Sequence, residues 1–465
     1  MYPARRCSIL LHRDMAALCV TSRRLTKKKE PPRRNLSVTG LLQGHSGCGD
    51  GISPKLQVKT NVTSSSTSAS SRPVCPMGSS SSSSRLFGTL AQTLSSAPLA
   101  QSDLDQDPDQ NPDQDPEALA NPDQLLRECE EALLGRPARP HRDLVFPCTP
   151  AHQHHSQYQH PPIRVMQWNI LAQALGEGKD GFVRCPLEAL NWAERKYLIL
   201  EEILTYRPDI LCLQEVDHYY DTFQPIMASL GYHGSFMPKP WSPCLDVEKN
   251  NGPDGCALFY RRSRFSLLAT SHLRLSAMML PTNQVAVVQT LHCRATGRRL
   301  CVAVTHLKAR SGWERLRSAQ GADLLQHLRT ITARGRADAC GAGAGPEGEG
   351  VALIVCGDFN SEPTEDVYRR FSSSPLNLDS AYKLLSADGQ AEPAFTTWKI
   401  RPSGESRSTL DYIWYSHHAL CVESLLDLLS EEQVGPDRLP SYHYPSDHLS
   451  LLCDISFREQ PHRLL

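Results

Sequence analysis

An α/β fold over residues 161–460 is what this sequence predicts, and three observations carry it. From Ile163 onward, apolar runs of strand length alternate with amphipathic stretches of helical period. Most of those apolar runs break off abruptly in Asn, Asp, Glu or His. The residues before them are too polar to bury a core that would offset chain entropy.

Composition narrows the function classes. The chain has 465 residues, with 49 Lys+Arg against 50 Asp+Glu and a formal charge of −1. That balance excludes coating of nucleic acid or anionic membrane through bulk charge, so any anion recognition is local. The 16 cysteines form no C-x-x-C pair or regular framework, the usage of reduced thiols in an intracellular protein. No apolar run reaches the length of a membrane span.

Residues 1–36 are rich in Arg and Lys, opposed only by Asp14 and Glu30. Their composition fits a mitochondrial presequence and a basic tail alike, and a mitochondrial and cytoplasmic distribution is expected. Residues 37–160 read as a disordered linker, first Ser-rich and then acidic ("QSDLDQDPDQNPDQDPEALANPDQ"). A short amphipathic helix is expected near "LLRECEEALLG", and the histidines of "HQHHSQYQHPP" read as polar linker. "MGSSSS" at Met77 has the form of a myristoylation pattern if Gly78 is exposed, and Asn61 lies in a sequon in form only.

In the folded part, "IRVMQWNIL" predicts a buried strand. "NWAERKYLILEEILTYRPD" predicts a helix capped by Asn191, with Glu194 three residues on. "DILCLQEV" is the next strand, and strands fill 255–306 between the turn signals "NNGPDG" and "ATGRR". A helix follows over about 313–333, then the strands in "VALIVCGD", "TLDYIWYS" and "HLSLLCDISF". The Gly/Ala-rich stretch 334–350 reads as a surface insertion.

The polar strand ends are Asn169, Glu215, His306, Asp358 with Asn360, and Asp447 with His448. A carboxylate leaving a buried strand is costly unless it is paired or bound to a cation. Any one of them has a plain structural explanation, but all five fall where α/β sheets place ligands. Few oxygen ligands, Glu215 foremost, suit Mg²⁺, whereas zinc would need more His or Cys at short spacing. P-loop, dinucleotide-fold and G-x-S-x-G motifs are absent. Hydrolysis of a phosphoester by metal-activated water remains.

"WN", "LQEV", "THL", "GDFN", "LDYI" and "SDH", in that order and spacing, resemble the endonuclease/exonuclease/phosphatase superfamily over about residues 163–457. The resemblance implies a two-sheet, four-layer α/β sandwich with its active site at one edge. It implies that Glu215 binds Mg²⁺ with Asn169 beside it and that Asp447 supports the metal region. Asp358 would orient or deprotonate the attacking water, and Asn360 would hold that water or the phosphate. His448 would face the scissile phosphate, held by Asp411, and His306 would belong to the same site. Taken alone, Asp411 also reads as a capping or turn residue.

Members of this superfamily include enzymes that remove the 2′-phosphate of NADP⁺ and NADPH and 3′-exonucleases that shorten poly(A). A terminal monoester carries nearly two negative charges, one more than a diester, and so rewards additional cations. Lys308 and Arg310 follow His306 at every second position, a spacing that puts all three on one face of an extended chain. Lys239 in "MPKPW" is a third candidate, although taken alone it reads as a solvated surface charge. NADP(H) is therefore the expected substrate and RNA the alternative. A silent binding scaffold would have lost one of Glu215, Asp358, Asn360 or His448, and all four are present.

Overall fold

The computed structural model of the chain describes residues 120–147, 160–248, 250–339 and 351–458. The leader at 1–36, the Asn61 and Met77 patterns, the histidines before His160 and residues 340–350 of the expected insertion lie outside the described residues, whereas 334–339, expected as the start of that insertion, continue the helix Glu314–Ala339.

The first seven strands are β1 (Leu144–Val145), β2 (Ile163–Asn169), β3 (Ile210–Val216), β4 (Tyr232–Pro238), β5 (Gly255–Arg261), β6 (Phe265–Ala277) and β7 (Leu280–Cys293). Next come β8 (Arg299–His306), β9 (Ala352–Asp358), β10 (Leu378–Ser380) and the hairpin β11 (Thr397–Arg401) with β12 (Gly404–Ser408). The last are β13 (Asp411–Ser416), β14 (Leu420–Leu426) and β15 (Leu451–Phe457). Four helices matter here: α1 (Pro122–Ala132), α2 (Trp192–Tyr206), α3 (Glu314–Ala339) and α4 (Asp366–Ser372).

One sheet runs β1-β14-β15-β2-β3-β5-β4, and the other β10-β13-β9-β8-β7-β6. At the centre of each lies a parallel pair, β2 with β3 and β8 with β9. Side-chain alternation explains the layering. Val302, Val304, Ile354 and Cys356 point between the sheets toward Val165, Ile210 and Cys212. Their neighbours Cys301, Ala303, Leu353 and Val355 face outward onto Leu324 and Leu328 of α3 and Phe371 of α4. On the far side, Met166, Trp168, Leu211 and Leu213 pack under Ile199, Leu200 and Ile203 of α2. Each such fully buried aliphatic side chain contributes roughly 1.5–3 kcal/mol. The result is the four-layer sandwich that the motifs imply.

Residues 120–147 depart from the linker expectation. Asn121 caps α1 by accepting from Asp123 N at 2.9 Å, and Leu125 and Cys129 are buried with the α2 side chains. The Arg142 guanidinium is buried, pairs with Glu202 and donates to Ser450 O at 2.9 Å. β1 then joins the first sheet through Leu144↔Leu426. A polar segment is held here by a few buried anchors, which average composition does not register.

Candidate active site

The site forms where the two parallel pairs end. His306 of β8, Asp358 of β9 and Asp411 of β13 are partners in register across three adjacent strands. Gly357 permits this approach: a Cβ there would lie 2.5 Å from Thr305 O. Across the sandwich, Asn169 ends β2, and Glu215 sits at a bulge between Leu213 and Val216 with a left-handed φ of 56°. Such strain in a non-glycine residue persists only where the surroundings hold it, and here it re-aims a carboxylate.

Asn169 joins the two halves. Its Oδ1 accepts from Leu171 N at 3.1 Å, which fixes the amide, and its Nδ2 donates to Glu215 Oε1 and Asp358 Oδ2, each at 3.0 Å. Asp358 Oδ1 accepts from Asn360 N at 2.8 Å, and Asn360 Nδ2 donates to Leu307 O at 3.2 Å. Burial pushes the Asp358 carboxyl up to about 6, with His448 pulling it down and Asp411 adding to the rise.

His448 and Asp411 form a buried pair, Nδ1 to Oδ2 at 2.8 Å, and Thr396 Oγ1 donates to the same oxygen at 2.7 Å. Burial opposes charge on the imidazole, but Asp411 outweighs it and the pKa rises to about 9. His448 is thus an imidazolium near neutrality, with Nε2 3.8 Å from Asp358 Oδ2. His306 is the opposite case. Burial first, then Lys239, His448 and Lys399, hold it well below its ordinary value, so it is neutral. Lys239 Nζ lies 3.3 Å from His306 Nδ1, which leaves Nε2 to carry the proton toward Asp358 Oδ2 at 3.4 Å.

Among the described residues Glu215 forms no close ion pair, and its Oε2 accepts from Ala172 N at 3.3 Å. Burial, then Asp180, Asp254 and Asp447, push it up to about 7, with Lys239 pulling it down. Glu215, with Asn169 Nδ2 on one of its oxygens, is a carboxylate that could hold a hard divalent cation. Asp358, Asp411 and His448 also place one ligand atom each within 4.8 Å of one another, and Asp411 Oδ1 is buried without a partner. The Asp411–His448 bond and the charge on His448 argue against that imidazole as a ligand.

Asp447 does not serve as an open metal ligand. Its carboxylate pairs with Lys399 Nζ and lies 3.6 Å from Arg401 Nη2. Burial opposes its ionisation, yet Lys399, His448 and Arg401 hold it far below the usual carboxylate range. Two cations already satisfy it. Lys399 and Arg401 are site residues that the sequence argument misses. The alternation in "WKIR" before the turn "PSGE" is the hairpin signal that could have found them.

Lys239 is a site cation and not a solvated surface charge. Its side chain is only 11% exposed, donates to Asp254 Oδ2 at 2.5 Å, and stays charged because Asp254 and Glu215 outweigh its burial. The one-face argument for Lys308 and Arg310 fails in its geometry. β8 ends at His306, and Arg310 adopts a left-handed φ of 79°, so a loop presents these cations. Lys308 Nζ lies 5.6 Å over the Trp313 ring. Burial, then Arg310 and Lys239, depress its pKa, so Lys308 feels positive charge from both. Among the described residues neither Lys308 nor Arg310 pairs with a carboxylate.

With the geometry described, comparison with known proteins gives a consistent picture. A model of the Endonuclease/Exonuclease/phosphatase family matches residues 166–448. The chain is 58% identical to nocturnin of Rattus norvegicus over 465 residues, covering 100% of this chain and 99% of the rat protein. The structure of the human nocturnin catalytic domain with bound sulfate anion superposes with a TM-score of 0.56 at 60% identity, covering 70% of this chain and 100% of that one. ANGEL2, a 2′,3′-cyclic phosphatase solved with adenosine-2′,3′-vanadate, gives a TM-score of 0.54 at 25% identity, covering 68% and 98%. Stretches such as "NILAQALGEGKDGF" and "THLKARSGWER" carry the likeness to the nocturnins in the sequence itself.

Proposed function

Because the chain belongs to the endonuclease/exonuclease/phosphatase family, we propose that it is a Mg²⁺-dependent phosphatase that removes the 2′-phosphate of NADP⁺ and NADPH to give NAD⁺ and NADH. The observation that carries this reading is the pair Lys308 and Arg310, without carboxylate partners among the described residues, together with the largely enclosed Lys239 beside His306. Uncompensated positive charge at a phosphoesterase site favours the doubly charged monoester over a diester. The sulfate in the human nocturnin domain and the adenosine vanadate in ANGEL2 are in keeping with an anion and a nucleoside at such a site.

The residues divide the chemistry. Asp358, with a pKa of about 6, is ionised near neutrality and basic enough to take a proton from the attacking water, which Asn360 holds. The His448 imidazolium, kept charged by Asp411, faces the phosphoryl oxygens as negative charge develops there. Neutral His306 orients Asp358, while Lys239, Lys308 and Arg310 bind the dianion. A Mg²⁺ held by Glu215 would add a compact positive charge to the same oxygens. The products are the 2′-hydroxyl of NAD(H) and inorganic phosphate, with one water consumed.

The test is product analysis of the full chain with Mg²⁺ and either NADPH or oligo(A). Free phosphate with NADH, and intact oligo(A), supports the monoesterase. Shortened oligo(A) with untouched NADPH supports the exonuclease alternative, and inactivity on both supports a binding scaffold.

A further inference from the structure

The loop that carries Lys308 and Arg310 is held from below by one side chain. Arg317, three residues into α3, is buried at 2% exposure. Its Nη1 donates to Lys308 O at 3.1 Å and to Arg310 O at 2.7 Å. Its Nε and Nη2 donate to both oxygens of Glu365 at 2.9–3.0 Å. The carbonyls and the bidentate Glu365 thus engage most of the guanidinium, and its Nη2 also lies 3.5 Å from Glu314 Oε1. Glu365 also stands at the N-cap position of α4, a few residues after Asp358 and Asn360. The same anchor therefore ties the cation loop to the segment that follows the catalytic strand.

Two further facts show that this loop needs holding. Arg310 keeps a left-handed backbone at φ 79°, which a non-glycine residue maintains only when its surroundings impose it. Arg310 and Lys239 also repel Lys308, and a free loop would relax to separate them. Gln320, one turn further along α3, adds a second strut: its Oε1 accepts from Lys308 N at 3.2 Å, and its Nε2 donates to Gln284 Oε1 at 2.7 Å.

We propose that Arg317, locked on Glu365, is a positioning residue that pre-organises Lys308 and Arg310 and so sets the preference for a terminal phosphate dianion. The inference rests on the reading of those two cations as the 2′-phosphate contacts. Pre-paid ordering of this kind appears in substrate binding more than in the chemical step.

The test compares Arg317→Met, Arg317→Lys and Glu365→Gln in the full chain. Arg317→Met raises KM for NADPH by about tenfold with kcat nearly unchanged, an effect of about 1.4 kcal/mol. Arg317→Lys does not rescue it, because three donors cannot span two carbonyls and a carboxylate. In an Arg310→Ala background, Arg317→Met adds much less than it does alone, since it acts through that loop. Limited trypsin digestion reads the loop without any substrate: the variants are cut faster after Lys308 and Arg310. An unchanged KM, a fully additive double variant, or unchanged trypsin sensitivity overturns the proposal. A chain that releases no phosphate from NADPH overturns the substrate reading. Faster trypsin cutting would then still assign Arg317 the loop, and unchanged cutting would remove both.

Discussion

Asp411 Oδ2 lies 2.8 Å from His448 Nδ1, and both side chains are almost fully buried. The carboxylate accepts from Nδ1–H, fixes the ring's orientation and keeps it charged at a pH where a free histidine would be neutral. Asp411→Asn should lower kcat by roughly a hundredfold or more, the scale of a lost positioned acid–base group. Folding raises the His448 pKa from 6.5 to about 9, so the pair contributes stability that is complete below about pH 6.5 and is lost as pH rises through about 9. The variant should lose that dependence in thermal melts run between pH 6 and pH 9.

The pH–rate profile follows from the same two groups. Activity needs Asp358 ionised, which sets an acidic limb near its value of about 6, and His448 protonated, which sets a basic limb near 9. The profile of kcat/KM should therefore be a bell with those limits as apparent values for the coupled site. In Asp411→Asn the basic limb should move toward 6.5, and a limb still at 9 would assign it to another group.

Glu215 should be the metal switch. Its folded pKa is raised from 4.5 to about 7, so the metal-free chain loses stability as pH rises across that window and the carboxylate ionises in a crowded site. A bound cation removes that penalty. Mg²⁺ should accordingly raise the melting temperature at pH 7.5 in the native chain and not in Glu215→Ala. Glu215→Ala should also abolish activity, and activity surviving under strict Mg²⁺ dependence would refute the ligand assignment.

Arg310→Ala should weaken binding of the anionic substrate and leave the fold intact. A rise in KM of about tenfold or more is expected for a charge-assisted contact. Unchanged KM and kcat would make Arg310 a bystander.

Arg142→Ala should destabilise the domain by about 1.5–3 kcal/mol, because it strips one of two arginine partners from the buried Glu202 carboxylate and leaves Arg139 as the other. Denaturant unfolding checks this. A loss under about 1 kcal/mol would return residues 120–147 to the role of a loosely held linker.

Much of the site is visible in the sequence because its residues sit at the ends of buried strands. "LQEV", "VTH" and "VCGD" announce themselves by a long apolar run that stops in a charge, and β3, β8 and β9 are those runs. Lys399 and Arg401 escape notice because β11 and β12 form a small separate hairpin whose outer residues are exposed, without an apolar run to flag it. Sequence spacing does not reveal that those two cations meet Asp447. Lys308 and Arg310 are found for a mistaken geometric reason: alternation implies an extended strand, whereas Arg317 and a left-handed backbone place them. Residues 120–147 are misjudged because two buried arms, Leu125 with Cys129 and Arg142 with Glu202, outweigh an otherwise polar composition.

The substrate is tested most directly by competition in one vessel. NADPH and oligo(A) are supplied together to the full chain with Mg²⁺, and free phosphate and oligonucleotide length are followed at once. The geometry of Lys239, Lys308 and Arg310 predicts stoichiometric phosphate and NADH from NADPH while oligo(A) keeps its length. Shortening of oligo(A) with NADPH left intact would contradict it.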